Sequence, residues 1–491
     1  MQDSKTMTGF FTRYAALLKI GLLGFLVLIM TIPLEYVWSV IRERAYLSES
    51  VERNLGESWG RAQTIAGPVL LLPVEEPRMV KVKAPDWTKD KPLYVEEQRW
   101  FRHHLYILPE DHNVSAALTS QTRRRGIYEA LLYTTRAEVS GRFEVPAASS
   151  LPVTENARLL YGQARLLVHV ADLRGSANAP RLDWGGREVL FDVRSDPLPG
   201  ASGKNGNLSW IEAPLPGLSS TTGTQDFTFD LELKGSHRLR FIPLGRSSDI
   251  ALSGDWPHPS FAGVNLPVTN EVNAEGFTAR WQVSHLARGL PQVARDDNGG
   301  ASVLAGQIVG NGVETRLLNT VDFYSKSERS VKYGLLFVVV TFGTLFIFEA
   351  LGRRRLHAVQ YLMVGAAVTL FFLLQLSLAE VIGFAAAYGS AALACVALVT
   401  LYAAKITASR SRGLVLGGLL AGVYGYLFIT LQSEDHAMMM GSFLLLALLA
   451  AAMYATRNFD WYALGSRLAQ GASDQANPEE KADAPPTQAG A

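Results

Sequence analysis

The sequence predicts a polytopic α-helical membrane protein with six transmembrane helices and one large, mainly-β, sandwich-like domain. Three observations predict this class. Charge-poor apolar stretches occupy Met1–Leu34 and Tyr333–Tyr454, period-2 alternation dominates the residues between them, and Lys and Arg gather in alternate short loops of the C-terminal third. The whole-chain figures of 48% hydrophobic and 19% charged conceal these two populations.

The predicted order begins with a cytoplasmic N-terminus over 1–16 and a transmembrane anchor over 17–38. Spanning about 30 Å of hydrocarbon takes about 20 apolar residues. Ile20 to Leu34 is shorter, but Lys19 can snorkel, and Tyr36 and Trp38 can anchor the opposite interface. Lys5, Arg13 and Lys19 ahead of an apolar run also fit a signal peptide. The run leads through Pro33-Leu34-Glu35 into Tyr36-Val37-Trp38 with no small-x-small cleavage site, so an uncleaved signal anchor is expected.

A β-rich domain is predicted over 39–332. Val40 to Trp59 has helical character and continues the anchor, and a turn is expected at Gly67-Pro68 before Val69-Leu70-Leu71-Leu72-Pro73-Val74. Strand periodicity then recurs at Gly141–Val145, Ala164–Val170, Arg187–Val193, Asp226–Leu233 and Leu239–Ile242, with Gly, Pro, Asn and Ser between. Many short strands with such punctuation predict one or two antiparallel sandwiches. The single cysteine, Cys395, lies in a predicted membrane helix, so this domain rests on its apolar core and not on disulfides.

A five-helix bundle is predicted over 333–457: Tyr333 to Leu351, Leu356 to Ala379, Val381 to Ala404, Gly413 to Ser433 and Ala437 to Thr456. Arg353, Arg354 and Arg355, then Lys405, Arg410 and Arg412, then Arg457 mark one side; Glu380, Glu434 and Asp435 mark the other. The positive-inside rule puts the basic loops in the cytoplasm, with both termini, and the β-rich domain in the periplasm. Arg42, Arg44, Arg329 and Lys332 flank helices on the outer side, so the bundle and not the first helix decides the orientation. The segment 458–491 is a cytoplasmic tail, expected to be disordered from about Ser466.

Composition and motifs exclude several functions. A net charge of +1 without a basic block argues against nucleic acid as a partner. The nine histidines make no metal signature, and the adjacent His103 and His104 face opposite ways on a strand. No Walker loop or dinucleotide fingerprint is present, so no catalytic, cofactor-binding or metal residue is assigned and no cofactor is expected. The segment Gly254-Asp255-Trp256-Pro257-His258-Pro259-Ser260-Phe261 does contain the residue types of a catalytic triad. Two prolines and two aromatic anchors favour a rigid structural loop, and a periplasmic hydrolase using His258 and Ser260 is the alternative.

Within the bundle, Glu349 stands four residues before Arg353 and is expected to pair with it. His357, Gln360, Gln375, Glu380 and Lys405 lie near helix ends or can reach them. No charge is stranded at mid-depth, which weighs against an ion pathway.

Several islands together resemble the CreD family of inner-membrane proteins over about Leu17 to Tyr462. They are Ile41-Arg42-Glu43-Arg44-Ala45-Tyr46, Ile65-Ala66-Gly67-Pro68-Val69-Leu70, Gly126-Ile127-Tyr128, Gly245-Arg246 through Phe261, Glu275-Gly276-Phe277 and Arg457-Asn458-Phe459-Asp460-Trp461-Tyr462. The resemblance implies a Gram-negative cell-envelope protein, linked to envelope integrity and to a two-component stress regulon that touches the β-lactam response. It implies no reaction. The layout also resembles that of YidC insertases, but the second and third helices are too closely joined for the insertase's cytoplasmic hairpin, and the bundle lacks a groove arginine. The expected function is a non-enzymatic envelope-integrity role exerted through the periplasmic domain, with the lipid bilayer and periplasmic or envelope proteins as partners. An insertase-like or transport bundle is the other alternative.

Overall fold

The computed structural model describes residues 3–85, 94–176, 178–194, 209–219, 223–296, 299–310, 312–318, 323–351, 355–433 and 436–457. Arg353, Arg354, Glu434, Asp435 and the tail from Ser466 lie outside them. The chain divides into two compact units: Met1–Leu47 with Val321–Ala491, and Ser48–Thr320. Helix α1 (Asp3–Trp59) runs 57 residues, about 85 Å at 1.5 Å per residue, with Pro33 inside it.

The second unit is built from two sheets that share one core. Its longest strands are β1 (Gln63–Lys83), β2 (Tyr94–Ile107), β3 (Asp111–Arg125) and β4 (Tyr128–Glu144). The first sheet orders Pro259–Gly263, Val313–Leu317, Arg238–Ile242, β1, Arg165–Val170, Trp210–Pro214 and Asp192–Arg194, with β2, Val293–Arg295 and Arg158–Leu159 paired off this path. The second orders Thr269–Asn273, Gly276–Ser284, Ser247–Gly254, β3, β4, Thr224–Ser236, Arg181–Trp184 and Arg187–Leu190. Leu70, Leu72, Val168, Ile211 and Phe241 of the first meet Val114, Val139, Phe227, Phe229 and Trp281 of the second in one buried cluster.

Two details depart from the sequence reading. The sheets are not purely antiparallel, because β1 runs parallel to Arg238–Ile242 and β3 parallel to Ser247–Gly254. Nor does the chain turn at Gly67-Pro68. That pair sits within β1, where the register against Arg165–Val170 shifts between Ala66 and Val69. A proline without an N–H is tolerated at such an irregularity. Gly67 is required there: its φ is 126°, and a Cβ would lie 2.9 Å from the Leu167 carbonyl oxygen.

The unbroken run Val69–Val74 is also explained. Leu70, Leu72 and Val74 face the inter-sheet core, while Val69 and Leu71 join Tyr106, Leu108, Leu167, Trp210 and Leu244 in a second cluster. After the one-turn helix α2 (His285–Arg288), helix α3 (Gly300–Gly310) closes that cluster with Ala301 and Leu304. A strand buried on both faces loses its alternation.

The first unit joins the first part of α1 to α4 (Phe323–Lys332), α5 (Gly334–Leu351), α6 (Ala358–Ile382), α7 (Phe384–Ile406), α8 (Arg410–Gln432) and α9 (Ala437–Thr456). Among the described residues five helices are long and apolar enough to cross a membrane: Leu18–Trp59, Phe323–Ala350, Ala358–Ile382, Phe384–Ile406 and Arg410–Gln432; Met439–Tyr454 is a shorter apolar helix. Their core is aromatic. Tyr424 sits 4.4 Å, ring to ring, from both Phe337 and Phe371, and its carbonyl accepts the Tyr388 hydroxyl at 2.8 Å. Close helix contact needs glycine at Gly417, where a Cβ would fall 2.1 Å from the Thr400 hydroxyl.

Two buried histidines make the sheet domain acid-sensitive. Burial pushes both His112 and His169 down to about 4, from an ordinary 6.5. Between those values the unfolded chain binds protons that the folded one refuses, so stability is full above pH 6.5 and falls as pH drops toward 4. The loss is about 3 kcal/mol per histidine. Chemical denaturation followed by tryptophan fluorescence should show that slope, and His112→Leu with His169→Leu should flatten it. An unchanged slope in the double variant would assign the acid sensitivity elsewhere.

Candidate functional site

The segment with a nucleophilic residue set folds as a clamp between an inner strand of the second sheet and the edge strand of the first. The Asp255 carboxylate accepts the Ser120 backbone N–H at 2.7 Å, tying the end of Ser247–Gly254 to β3. Trp256 turns the other way and donates its indole N–H to the Leu318 carbonyl at 3.0 Å, while the Leu318 N–H reaches the His258 carbonyl at 3.2 Å. Phe261 fits edge-on against Phe277 and Trp281, each 5.8 Å away. His258 touches the Trp256 ring edge-on at 6.2 Å, and among the described residues no hydrogen bond links His258, Ser260 and Asp255. A triad needs its carboxylate on the histidine; here the carboxylate is committed to a backbone amide.

Ser260 instead lies opposite Arg316, which pairs in turn with Arg238 on the next strand. These residues border a buried carboxylate that sequence reasoning missed. Glu314 is 1% exposed and is held by Arg240 and Arg316, with Arg238 at 3.7 Å. Burial would raise its pKa, but the hydrogen bonds from Arg316 and Arg240 outweigh that and hold it below the usual carboxylate range.

Glu76 repeats the arrangement near the far end of the first sheet. The Thr154 N–H reaches it at 2.7 Å, Arg295 at 3.0 Å, and His103 stands 3.7 Å away. Burial again acts upward and is outweighed by Thr154 and Arg295, so the net direction is down. For Glu76 the available signal was a carboxylate in phase with Leu70, Leu72 and Val74 of its strand; for Glu314 it was only the alternation Glu314-x-Arg316, since Arg240 and Arg295 lie on strands that only the fold makes neighbours. The neighbouring His104 faces the other way, as the strand reading required, and its Nδ1 lies 2.8 Å from Asp296.

In the helical unit the polar residues find partners on other helices. Glu349 does not need Arg353, which lies outside the described residues; its carboxylate takes Lys19 of α1 at 3.0 Å and the Tyr361 hydroxyl of α6 at 2.9 Å. Lys19 also donates to the Leu356 carbonyl at 2.9 Å, so its ammonium turns into the bundle. Gln360 closes a capping box with His357 at the start of α6. Glu380 accepts the Tyr324 hydroxyl at 3.3 Å. Gln375 is fully buried within α6 and does not reach a helix end; its amide donates to Ser327 of α4 at 2.8 Å. Among the described residues the Gln375 carbonyl oxygen and the Ser330 hydroxyl have no hydrogen-bond partner. Among the described residues no group of His, Cys, Asp and Glu is placed to hold a metal ion.

Two outcomes follow from these contacts. Lys19→Met leaves Glu349 buried without its cation, which should cost about 3–5 kcal/mol and lower the protein's abundance. Lys19→Met with Glu349→Gln should recover most of it, as thermal melts of purified protein can check. In the clamp, Trp256→Ala should cost about 1–3 kcal/mol, because the ring is only partly covered. Ser260→Ala should leave melting and phenotype unchanged, and labelling of Ser260 by an active-site serine probe would contradict the clamp reading.

A family model described as "Inner membrane protein CreD" matches residues 15–462. The Inner membrane protein CreD of Escherichia coli (strain K12) is 30% identical over 439 residues, covering 89% of this chain and 92% of that protein. Among solved structures, a mutant M1 zinc metallopeptidase from Deinococcus radiodurans bound to a peptide substrate aligns at 8% identity over 43% of this chain and 42% of its own. Its TM-score is 0.20, too low to carry a likeness of fold. The match over nearly the whole length, in a chain with several apolar helices and a large β-sheet domain, means that this chain belongs to the CreD family of inner membrane proteins.

Proposed function

We propose that this chain is a multi-pass inner-membrane protein that acts in the cell envelope by binding, through its sheet domain, and not by catalysis. In this reading six helices cross the membrane, with α9 (20 residues) as the last. Both termini are cytoplasmic and the sheet domain is periplasmic. The observation that carries the binding role is the disposition of Asp255, whose carboxylate serves the Ser120 amide and leaves His258 and Ser260 unassembled. The orientation is supported by Arg355 between α5 and α6, Lys405, Arg410 and Arg412 around the α7–α8 turn, and Glu380 near the opposite end of α6.

A second reading makes the helical unit the working part, as in an insertase or transporter. It is favoured by one feature: a buried Gln375 whose carbonyl oxygen lacks a partner, close to Ser327 and not far along α4 from Ser330. Buried polar groups with unmet capacity are costly in hydrocarbon and mark functional positions.

Exchanging α4–α9 for an unrelated anchor of the same topology separates the two. Under the binding reading the hybrid restores part of the tolerance to cell-wall antibiotics or detergents that a deletion strain loses. A reporter enzyme fused after Gly200 should report periplasmic exposure, and one fused after Arg410 cytoplasmic exposure. Complete loss of tolerance with a folded, exported sheet domain would transfer the role to the helices and make Gln360, Gln375 and Glu380 the first residues to replace.

A further inference from the structure

Seven residue pairs of β1 and β2 leave the sandwich as a free ribbon. Pro77–Lys83 pairs with 94–100, from Pro77↔Trp100 to Lys83↔Tyr94. Among the described residues β1 has no strand but β2 beside it beyond Glu75, since Arg158–Leu159 reaches only Val74 and Glu75. On β2, the strand Val293–Arg295 stops at Leu105. Every residue from Tyr94 to Arg102 is exposed, as are Arg78, Met79, Lys81 and Lys83 on β1, while Pro77, Val80 and Val82 are half-buried. An isolated two-stranded ribbon is at best marginal in water, and free edges invite pairing.

Opposed residues share a face, so one side carries Tyr94, Met79 and Trp100 interleaved with Lys83, Lys81 and Gln98, with Glu96 opposite Lys81. Met79 is 61% exposed, Tyr94 52% and Trp100 45%. The Arg158 guanidinium lies 4.2 Å from the centre of the Trp100 ring and holds it in place. Along the ribbon Arg78, Lys81, Lys83 and Arg99 stand against Glu96 and Glu97, four positive charges to two negative, a net +2.

We infer that this ribbon is an arm that docks on an anionic phospholipid surface. The inference rests on the binding reading above and gives that binding a partner. Amphipathic aromatic rings with flexible basic side chains suit the headgroup layer, where rings and methylenes enter and charges stay among the phosphates. Free backbone edges remain hydrated there at no cost. A protein partner fits less well. At about 3.3 Å per residue and one strand pair wide, a face offers about 230 Å², far below the roughly 800 Å² that each side of a stable protein interface buries.

The full chain tests this, because Cys395 is its single cysteine. With Cys395→Ser, a polarity-sensitive dye is placed at Met79→Cys, or at Ser115→Cys on the exposed face of β3 as the control. Each labelled protein, held in phosphatidylcholine nanodiscs, meets vesicles of phosphatidylcholine with or without phosphatidylglycerol; a second set uses nanodiscs that contain phosphatidylglycerol. The Met79 dye should shift to the blue with phosphatidylglycerol and the Ser115 dye should not. Lys81→Gln and Lys83→Gln should weaken that response about fivefold each. No shift in any lipid, an equal shift with neutral lipid, or full retention of the response without both lysines overturns the inference. These outcomes are independent of the anchor exchange, so the arm can fail while the binding role stands.

Discussion

Strand β1 is the element on which the sheet domain depends. It begins four residues after α1 ends, and four other strands pair along its 21 residues: Arg238–Ile242, Arg165–Val170, Arg158–Leu159 and β2. Its first residue is tied on three sides. Gln63 is fully buried, donates to the carbonyls of Asp172 and Lys234, and accepts the Asp172 N–H. A buried carboxamide with all these bonds made fixes its own position strongly, and breaking any of them would strand a buried polar atom. The helix end is tied to the same place: Trp59 donates to the Tyr133 carbonyl and its ring receives Lys234 at 4.5 Å. The start of the strand, and with it the register of the first sheet, is thereby set where the anchor helix stops.

The helical unit answers a different constraint. Hydrocarbon offers no water to a polar group, so each one must find a partner inside the protein or keep its energetic cost. Lys19, Glu349 and Tyr361 satisfy one another across α1, α5 and α6, and Glu380 finds Tyr324. Gln375 and Ser330 only partly comply. The sheet domain handles its own buried charges by the same rule, with Glu76 held by Arg295 and the Thr154 amide and Glu314 by Arg240 and Arg316. A buried ion pair of this kind adds little net stability, but it makes the wrong register expensive.

Family membership and geometry meet most closely at the Asp255–Phe261 segment. Its aromatic residues and prolines look like a site in one dimension and work as a clamp in three, holding β3 through Ser120 and the strand Val313–Leu317 through Leu318. On the binding reading proposed above, function is carried by surfaces, which is why the exposed ribbon of β1 and β2 draws more interest than the histidine and serine.

The chain's sequence alone determined which residues form long apolar helices and which form strands. Both are local properties, since a 20-residue apolar run and a period-2 alternation need no knowledge of their neighbours. It also placed His103 and His104 on opposite faces, because strand geometry forces that. What it could not carry was pairing. The parallel partners of β1 and β3, the bulge at Gly67-Pro68, the choice of Lys19 by Glu349, the inward placement of Gln375 and the approach of Arg240 to Glu314 join residues tens to hundreds of positions apart. Tertiary structure alone decided these, because the energy of a buried polar contact depends on which groups the fold brings within 3 Å and not on their spacing along the chain.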